Sequence, residues 1–183
     1  DISEFQIEGM NVNESELSYF HKNQIDNEKF YLYENYGPKG KEIAAIFIED
    51  NIDRYDSVQI SFKNDNYEIV SIIGNIYFED MDNCSPLQNE ISNDIKSLFS
   101  DLNFEANLEP IPHVGYPNGE VMVQSRIGFF LEKGRRSNID LICFDISESL
   151  NKNDRLSVTV RTHENNDWLE SIYNNPWITK KNN

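Results

Sequence analysis

Long apolar runs are absent from this chain of 183 residues, and basic residues are few. Without about 18 consecutive apolar residues, no segment is predicted to span a membrane as a helix. The 16 basic residues face 32 acidic ones, so the formal net charge is −16. Because such a charge repels phosphate backbones and anionic lipid surfaces, we predict no nucleic-acid partner.

Motifs of known chemistry are also missing. The sequence has no Gly-x-Ser-x-Gly turn, phosphate-binding loop or dinucleotide fingerprint. Its three histidines, His21, His113 and His163, show no metal-ligand spacing. We therefore predict no cofactor, no metal site and no catalytic residue from motifs. The alternative is a hydrolase whose catalytic site forms only in the folded structure. Such a site would use His113 or His163 with neighbouring carboxylates.

Two acidic clusters, at residues 49–53 and 79–83, leave cation binding open because closely spaced carboxylates can hold Ca²⁺. An EF-hand loop counted from Asp80 requires Gly at its sixth position and Glu at its twelfth. Those positions hold Ser85 and Ile91, so this pattern fails. Solvated acidic turns are the favoured interpretation of both clusters.

The residues that are present favour a sheet. The chain has 21 Ile and 11 Phe but only 3 Ala, and β-branched and aromatic side chains suit strands. The predicted strands are residues 30–34, 42–49, 56–63, 67–78, 121–131, 138–146 and 155–163. Residues 104–120 are predicted as a loop and residues 133–136 as a turn.

Three helices complete the prediction. The first starts at a capping box of Asn13 and Glu16, with Leu17, Phe20 and Ile25 on its buried side. The second runs over residues 85–102. Its apolar residues follow helical spacing, which predicts that one set of side chains faces the sheet: Ile91, Ile95, Leu98 and Phe99. The third begins near residue 165, carries Trp168, Leu169 and Ile172, and ends at Pro176.

These elements predict one domain over residues 1–183, a length typical of a single domain. Short turns between strands favour antiparallel pairing. The predicted fold is α+β, mainly an antiparallel β-sheet with helices packed on one face in two layers.

The two ends of the chain resemble a known group of proteins. The matching residues are Leu156–Thr162, Asn166–Leu169, Leu17–Phe20 and the opening Asp1-Ile2-Ser3-Glu4-Phe5-Gln6-Ile7-Glu8-Gly9-Met10. These stretches are similar to the ends of small uncharacterised exported proteins of marine bacteria of the Pelagibacter group. That group tends to have Gly-Asp where this chain has Asn13-Glu14. The resemblance implies export but no activity.

In the similar proteins, the opening residues begin the mature chain after a signal peptide. The start at Asp1 without Met fits that position, and we expect a periplasmic or secreted protein. Paired cysteines persist in such an oxidising compartment. We therefore predict a disulfide between Cys84, before the second helix, and Cys143, within a strand, whereas two buried thiols are the alternative.

The predicted function is an exported soluble binding or interaction domain without catalytic activity. Its partner is an unknown protein or small-molecule ligand, and the alternative is a hydrolase that uses His113 or His163. Tyr31 and Tyr33, two residues apart, either form a binding surface or pack beneath the first helix.

Overall fold

A computed structural model describes residues 4–99, 102–113, 115–130 and 137–173. Within these ranges the chain forms one antiparallel sheet in the order β1-β2-β3-β8-β7-β6-β4, with β5 also pairing β6. The strands are β1 Ile43–Ile48, β2 Ser57–Lys63, β3 Ile69–Phe78, β4 Asn103–Asn107, β5 Ile111–Pro112, β6 Val121–Phe130, β7 Asn138–Ile146 and β8 Asp154–Arg161. The helices are α1 Lys22–Glu28, α2 Cys84–Leu98 and α3 His163–Tyr173. The mainly β, α+β class is therefore confirmed.

One face of the sheet is apolar because the inward side chains of paired strands coincide. A row in register crosses six strands from β1 to β6: Ile46, Ile60, Ile72, Val160, Ile139 and Phe129. The predicted inward residues Val58, Ile60 and Phe62 are fully buried, as the alternation of β2 indicated. This face forms the main core of the protein.

Helix α2 covers this apolar face but is rotated relative to the prediction. Ile95 is buried and Ile91 and Phe99 pack against the core, as predicted, but Leu98 is 71% exposed and the helix ends there rather than at residue 102. The buried stripe instead contains Cys84, Gln88, Ser92 and Ile95. The amide Nε2 of Gln88 donates to the backbone oxygen of Leu141 at 2.8 Å. This hydrogen bond and the attachment of Cys84 to β7 set the rotation, which hydrophobic spacing alone cannot indicate.

The predicted disulfide is confirmed, since Cys84 at the start of α2 is bonded to Cys143 in β7. Their Cα atoms are 6.1 Å apart and 59 residues separate them in sequence. Both cysteines are fully buried. The bond therefore anchors the start of α2 to the middle of the sheet.

Other predicted elements differ from the structure. Asn13 has a positive φ of 68°, so the first helix does not begin there; a short turn at Glu16–Ser18 precedes α1. Residues 30–34 contribute only an isolated bridge from Phe30 to Ala45. The predicted loop at 104–120 contains most of β4 and all of β5. All five residues of β4 are exposed, although Phe104 and Ala106 alternate with polar residues. The turn at 133–136 and the end at Pro176 lie outside the described residues.

The sheet also carries a helix at its other face. Helix α1 lies at the apolar face, because its Ile25 belongs to the main core. Helix α3 instead contacts Asn138, whose Oδ1 accepts a hydrogen bond from Asn166 Nδ2 at 2.8 Å. Asn138 is in register with Arg161, on the side opposite the apolar row. The expectation of helices on one face only therefore does not describe α3, whose buried stripe mixes polar Asn165 with apolar Ile172.

The rotation of α2 predicts different outcomes for two alanine substitutions. Ile95→Ala removes a fully buried side chain and is expected to lower the free energy of unfolding by about 2–5 kcal/mol. Leu98→Ala, on the exposed side of the same helix, is the matched control and is expected to change it by less than about 0.5 kcal/mol. Urea denaturation measures both, and equal losses would contradict the described rotation.

The disulfide predicts a large loss of stability in the Cys84→Ala, Cys143→Ala double variant. Closing a loop of this length contributes on the order of 4 kcal/mol through the entropy of the unfolded chain. Chemical denaturation of the oxidised parent and of the variant gives the difference. A loss below about 1 kcal/mol would show that the bond contributes little to stability.

Candidate functional site

The second face of the sheet carries small polar side chains where the first is apolar. In the central strands these include Ser57, Gln59, Ser61, Ser71, Asn75, Ser157 and Thr159. A hydrogen-bonded chain joins three of the strands: Asn75 Nδ2 donates to Ser57 Oγ at 3.1 Å, and Ser157 Oγ donates to Asn75 Oδ1 at 2.6 Å. We call this surface the polar face.

A cavity of about 70 Å³ lies where α3 covers the polar face. Its floor is formed by Ala45, Ser61 and Ser71, which are neighbours in register across β1, β2 and β3. Tyr33 and Trp168 are among the residues of its walls. The small floor residues leave room for the cavity beneath these aromatic rings. We call it the inner cavity.

The indole of Trp168 is held in place from two sides. Its Nε1 donates to the backbone oxygen of Lys39 at 3.1 Å. Its ring meets the ring of Tyr33 edge-on, with centroids 5.4 Å apart. These contacts tie α3 to the segment before β1 and preorganise the aromatic wall.

Three polar side chains of the inner cavity, those of Gln59, Ser61 and Ser71, make no hydrogen bond within the described residues. Ser61 and Ser71 are nevertheless 6% and 2% exposed, respectively. Ser61 and Ser71 are buried residues and Gln59 is half-buried, and all three line the cavity, so their side chains can serve a guest molecule.

Arg161 lines the same cavity and connects it to a charged cluster. The buried carboxylate of Asp140 receives Arg126 Nε at 2.8 Å and lies 3.6 Å from Arg161 Nη1. Asn138 Nδ2 also donates to it. Two guanidinium groups therefore share the Asp140 carboxylate.

A wider groove of about 460 Å³ opens beside the inner cavity, and Trp168 and Ile43 line both. Lys63 in this groove forms ion pairs with Glu164 of α3 and with Glu68. The hydrogen bond from Lys63 lowers the pKa of Glu164. The groove thus contains paired charges, whereas the inner cavity offers the uncharged groups of Gln59, Ser61 and Ser71 beside the Arg161 guanidinium. We refer to both together as the Trp168 cleft.

The two tyrosines singled out by sequence separate in the structure. Tyr31 packs against the main core, and Tyr33 lines the inner cavity. Core packing is therefore observed for Tyr31, whereas Tyr33 lies at a cavity. Ser61 and Ser71 were not singled out, although hydroxyl residues at the outward positions of paired strands would have indicated a small-residue floor.

The histidines proposed for a hydrolase lie apart from the cleft. The ring of His113 packs on Tyr116 and Phe144, with centroids 5.9 Å away in both cases, and its Nδ1 accepts from Gly115 N at 3.1 Å. His163 begins α3, and His21 precedes α1. None of them lines either part of the cleft.

Each acidic cluster takes part in a hydrogen bond between a carboxylate and a backbone amide. Asp80 Oδ1 accepts from Asp82 N at 3.0 Å and caps the turn before α2. In the other cluster, the amide of Asp53 donates to the Glu8 carboxylate at 2.9 Å. Among the described residues, no group of three His, Cys, Asp or Glu side chains is arranged to hold a metal ion.

The carboxyl group of Glu16 is the most unusual acid of the described chain. It is fully buried, and neither of its oxygens has a hydrogen-bonding partner in the described ranges of the chain. Burial raises its pKa to about 8, although nearby Lys29 acts in the opposite direction. Glu16 begins the turn before α1 and lies outside both parts of the cleft, so this perturbed acid does not mark the cleft as catalytic.

Glu16 predicts a pH dependence of stability. Its pKa rises from 4.5 in the unfolded chain to about 8 in the fold, so the folded state binds more protons between these values. The contribution of Glu16 to the free energy of unfolding is therefore highest below pH 4.5 and falls as the pH rises towards 8. Glu16→Gln is expected to remove this slope, of about 1.4 kcal/mol per pH unit, in urea denaturation from pH 5 to 8. An unchanged slope would contradict the assignment.

Comparison of the chain with known protein families, curated proteins and solved structures finds no match. The site is therefore interpreted from its own geometry. None of the described helices has the length and apolar character needed to cross a membrane.

Proposed function

We propose that this protein is an exported, non-enzymatic binding domain whose Trp168 cleft holds a small polar ligand. The observation that carries the proposal is the pair of buried serines, Ser61 and Ser71, which line the cavity together with Tyr33 and Trp168 and whose hydroxyls have no protein partner among the described residues. Ligand sites combine apolar walls with a few convergent polar groups. The inner cavity has this composition.

The dimensions of the cleft indicate the kind of ligand. A volume of about 70 Å³ admits one small polar group, such as a hydroxyl, an amide or a carboxylate. The groove of about 460 Å³ gives space for a larger molecule. Arg161 at the inner cavity favours a group that accepts hydrogen bonds. We therefore favour sugars, polyols and amino acids among possible ligands.

Export is supported by the disulfide and by the resemblance of the chain ends to exported proteins. Disulfides persist in oxidising compartments and are rare in the cytosol. The bond between Cys84 and Cys143 thus suits a periplasmic or secreted location. A binding domain in such a location meets its ligand outside the cytoplasm.

A protein partner is the second candidate, favoured by exposed apolar side chains around the edge strand β4. Leu98, Phe104 and Leu108 are 71%, 55% and 67% exposed. Lys96 of α2 lies 4.2 Å from the ring centroid of Phe104, which brings the end of α2 beside β4. Exposed apolar groups at a sheet edge are typical of interaction surfaces.

The small-ligand proposal predicts that compounds bind with contacts to Ser61, Ser71 and Trp168. Monosaccharides, polyols and amino acids would be titrated separately into the Trp177→Phe variant, in which Trp168 is the sole tryptophan. Binding is expected to change Trp168 fluorescence and raise the melting temperature. Loss of two hydrogen bonds in Ser61→Ala, Ser71→Ala is expected to weaken binding at least about tenfold.

The control is Ser149→Ala, on an exposed turn away from the cleft, which is expected to leave the affinity unchanged. Equal affinities for the parent and the double serine variant would refute the site. Chemical turnover of a bound compound would refute the non-enzymatic part of the proposal. Binding that survives in the serine variant but fails in Phe104→Glu would favour the partner surface at β4.

A further inference from the structure

Arg155 occupies the opposite end of the polar face from the Trp168 cleft. It lies in β8, in register with Tyr77 of β3 and Phe144 of β7. Along β3, six residues separate Tyr77 from Ser71 in the cavity floor, or roughly 20 Å of extended chain. Arg155 is thus remote from the Trp168 cleft, and a ligand at Arg155 would be independent of one in the cleft.

Aromatic side chains surround the Arg155 guanidinium. Its central carbon lies 5.3 Å from the ring centroid of Phe144. The His113 ring meets the same phenyl ring edge-on and packs on Tyr116. The hydroxyls of Tyr77 and Tyr116 are close enough to act electrostatically on the guanidinium. We call these five residues the Arg155 cluster.

The guanidinium has no acceptor within the described residues. Among the residues that the structure describes, its buried Nε has no hydrogen-bonding partner, and no carboxylate forms an ion pair with the guanidinium. Carboxylates of neighbouring positions are used elsewhere: Asp154 Oδ1 accepts from Ile146 N, and Asp145 Oδ2 accepts from Gln124 Nε2, both at 2.7 Å. Burial lowers the pKa of Arg155, but a guanidinium remains charged in proteins.

This arrangement contrasts with that of the other arginines on the polar face. Arg126 and Arg161 both reach the Asp140 carboxylate. Within the described residues Arg155 reaches none, although the chain has 32 acidic residues. A partly buried charge without a counter-ion is unfavourable unless something supplies one.

We propose that the Arg155 cluster is a binding site for the carboxylate or phosphate group of a small ligand. The planar guanidinium donates through a fork that matches two oxygens of such a group. The Tyr116 hydroxyl adds a donor, while the Phe144 ring supports the guanidinium from its face. Because the net charge of −16 opposes non-specific anion binding, occupancy depends on these local contacts.

The test follows the Arg155 Nε–H signal by ¹H–¹⁵N NMR in the full chain. Sodium acetate and sodium phosphate would replace sodium chloride at constant ionic strength, in separate titrations. At least one anion is expected to shift the Arg155 signal saturably, and the stronger of the two identifies the preferred group. Arg155→Lys, which keeps the charge but loses the fork, assigns the signal and is expected to weaken binding about tenfold.

Arg126→Lys is the matched control, because it changes an arginine of the same face that already has a carboxylate partner. It is expected to leave the anion affinity unchanged. The absence of a saturable shift at Arg155 with both anions would overturn the proposal. Equal anion affinities of the parent and Arg155→Lys would also overturn it. The affinity of the lysine variant would be measured from its backbone amide shifts. The titration of the parent decides the matter even if a variant does not fold.

Discussion

The alternation of side chains along the antiparallel strands is the constraint on which the other features of this protein depend. Because the register from β1 to β6 brings the apolar positions into common rows, one face supplies the core and accepts α1 and α2. The opposite positions then form the polar face. A shift of one residue in any pairing would exchange the two faces of that strand and lose both properties.

The polar face is stabilised differently from the core. Ser57, Asn75 and Ser157 satisfy one another, and Asp140 is satisfied by the cations around it. Buried polar groups that are fully paired make a surface rigid. Against this background, the unused hydroxyls of Ser61 and Ser71 and the guanidinium of Arg155 stand out as groups that the fold itself does not need.

Sequence predicted those parts of the molecule in which local pattern and tertiary structure agree. β2 followed its alternation, and the two cysteines were predicted to pair. The first helix failed because Asn13 adopts a left-handed backbone and buries Glu16 in the turn after it. β4 was missed because the three prolines and two glycines within residues 104–120 indicate a loop, and this outweighed the short alternation of Phe104 and Ala106. The cleft was missed because Tyr33, Ser61, Ser71 and Trp168 come from four separate segments.

The linkage of α2 to β7 has a consequence for limited proteolysis. Exposed residues of the connection between β5 and β6 lie inside the loop that the disulfide closes. A protease that cuts there produces two fragments that stay covalently joined and also share paired strands. The nicked protein would migrate as one species until it is reduced. Electrophoresis without reductant would therefore conceal cleavage in this region.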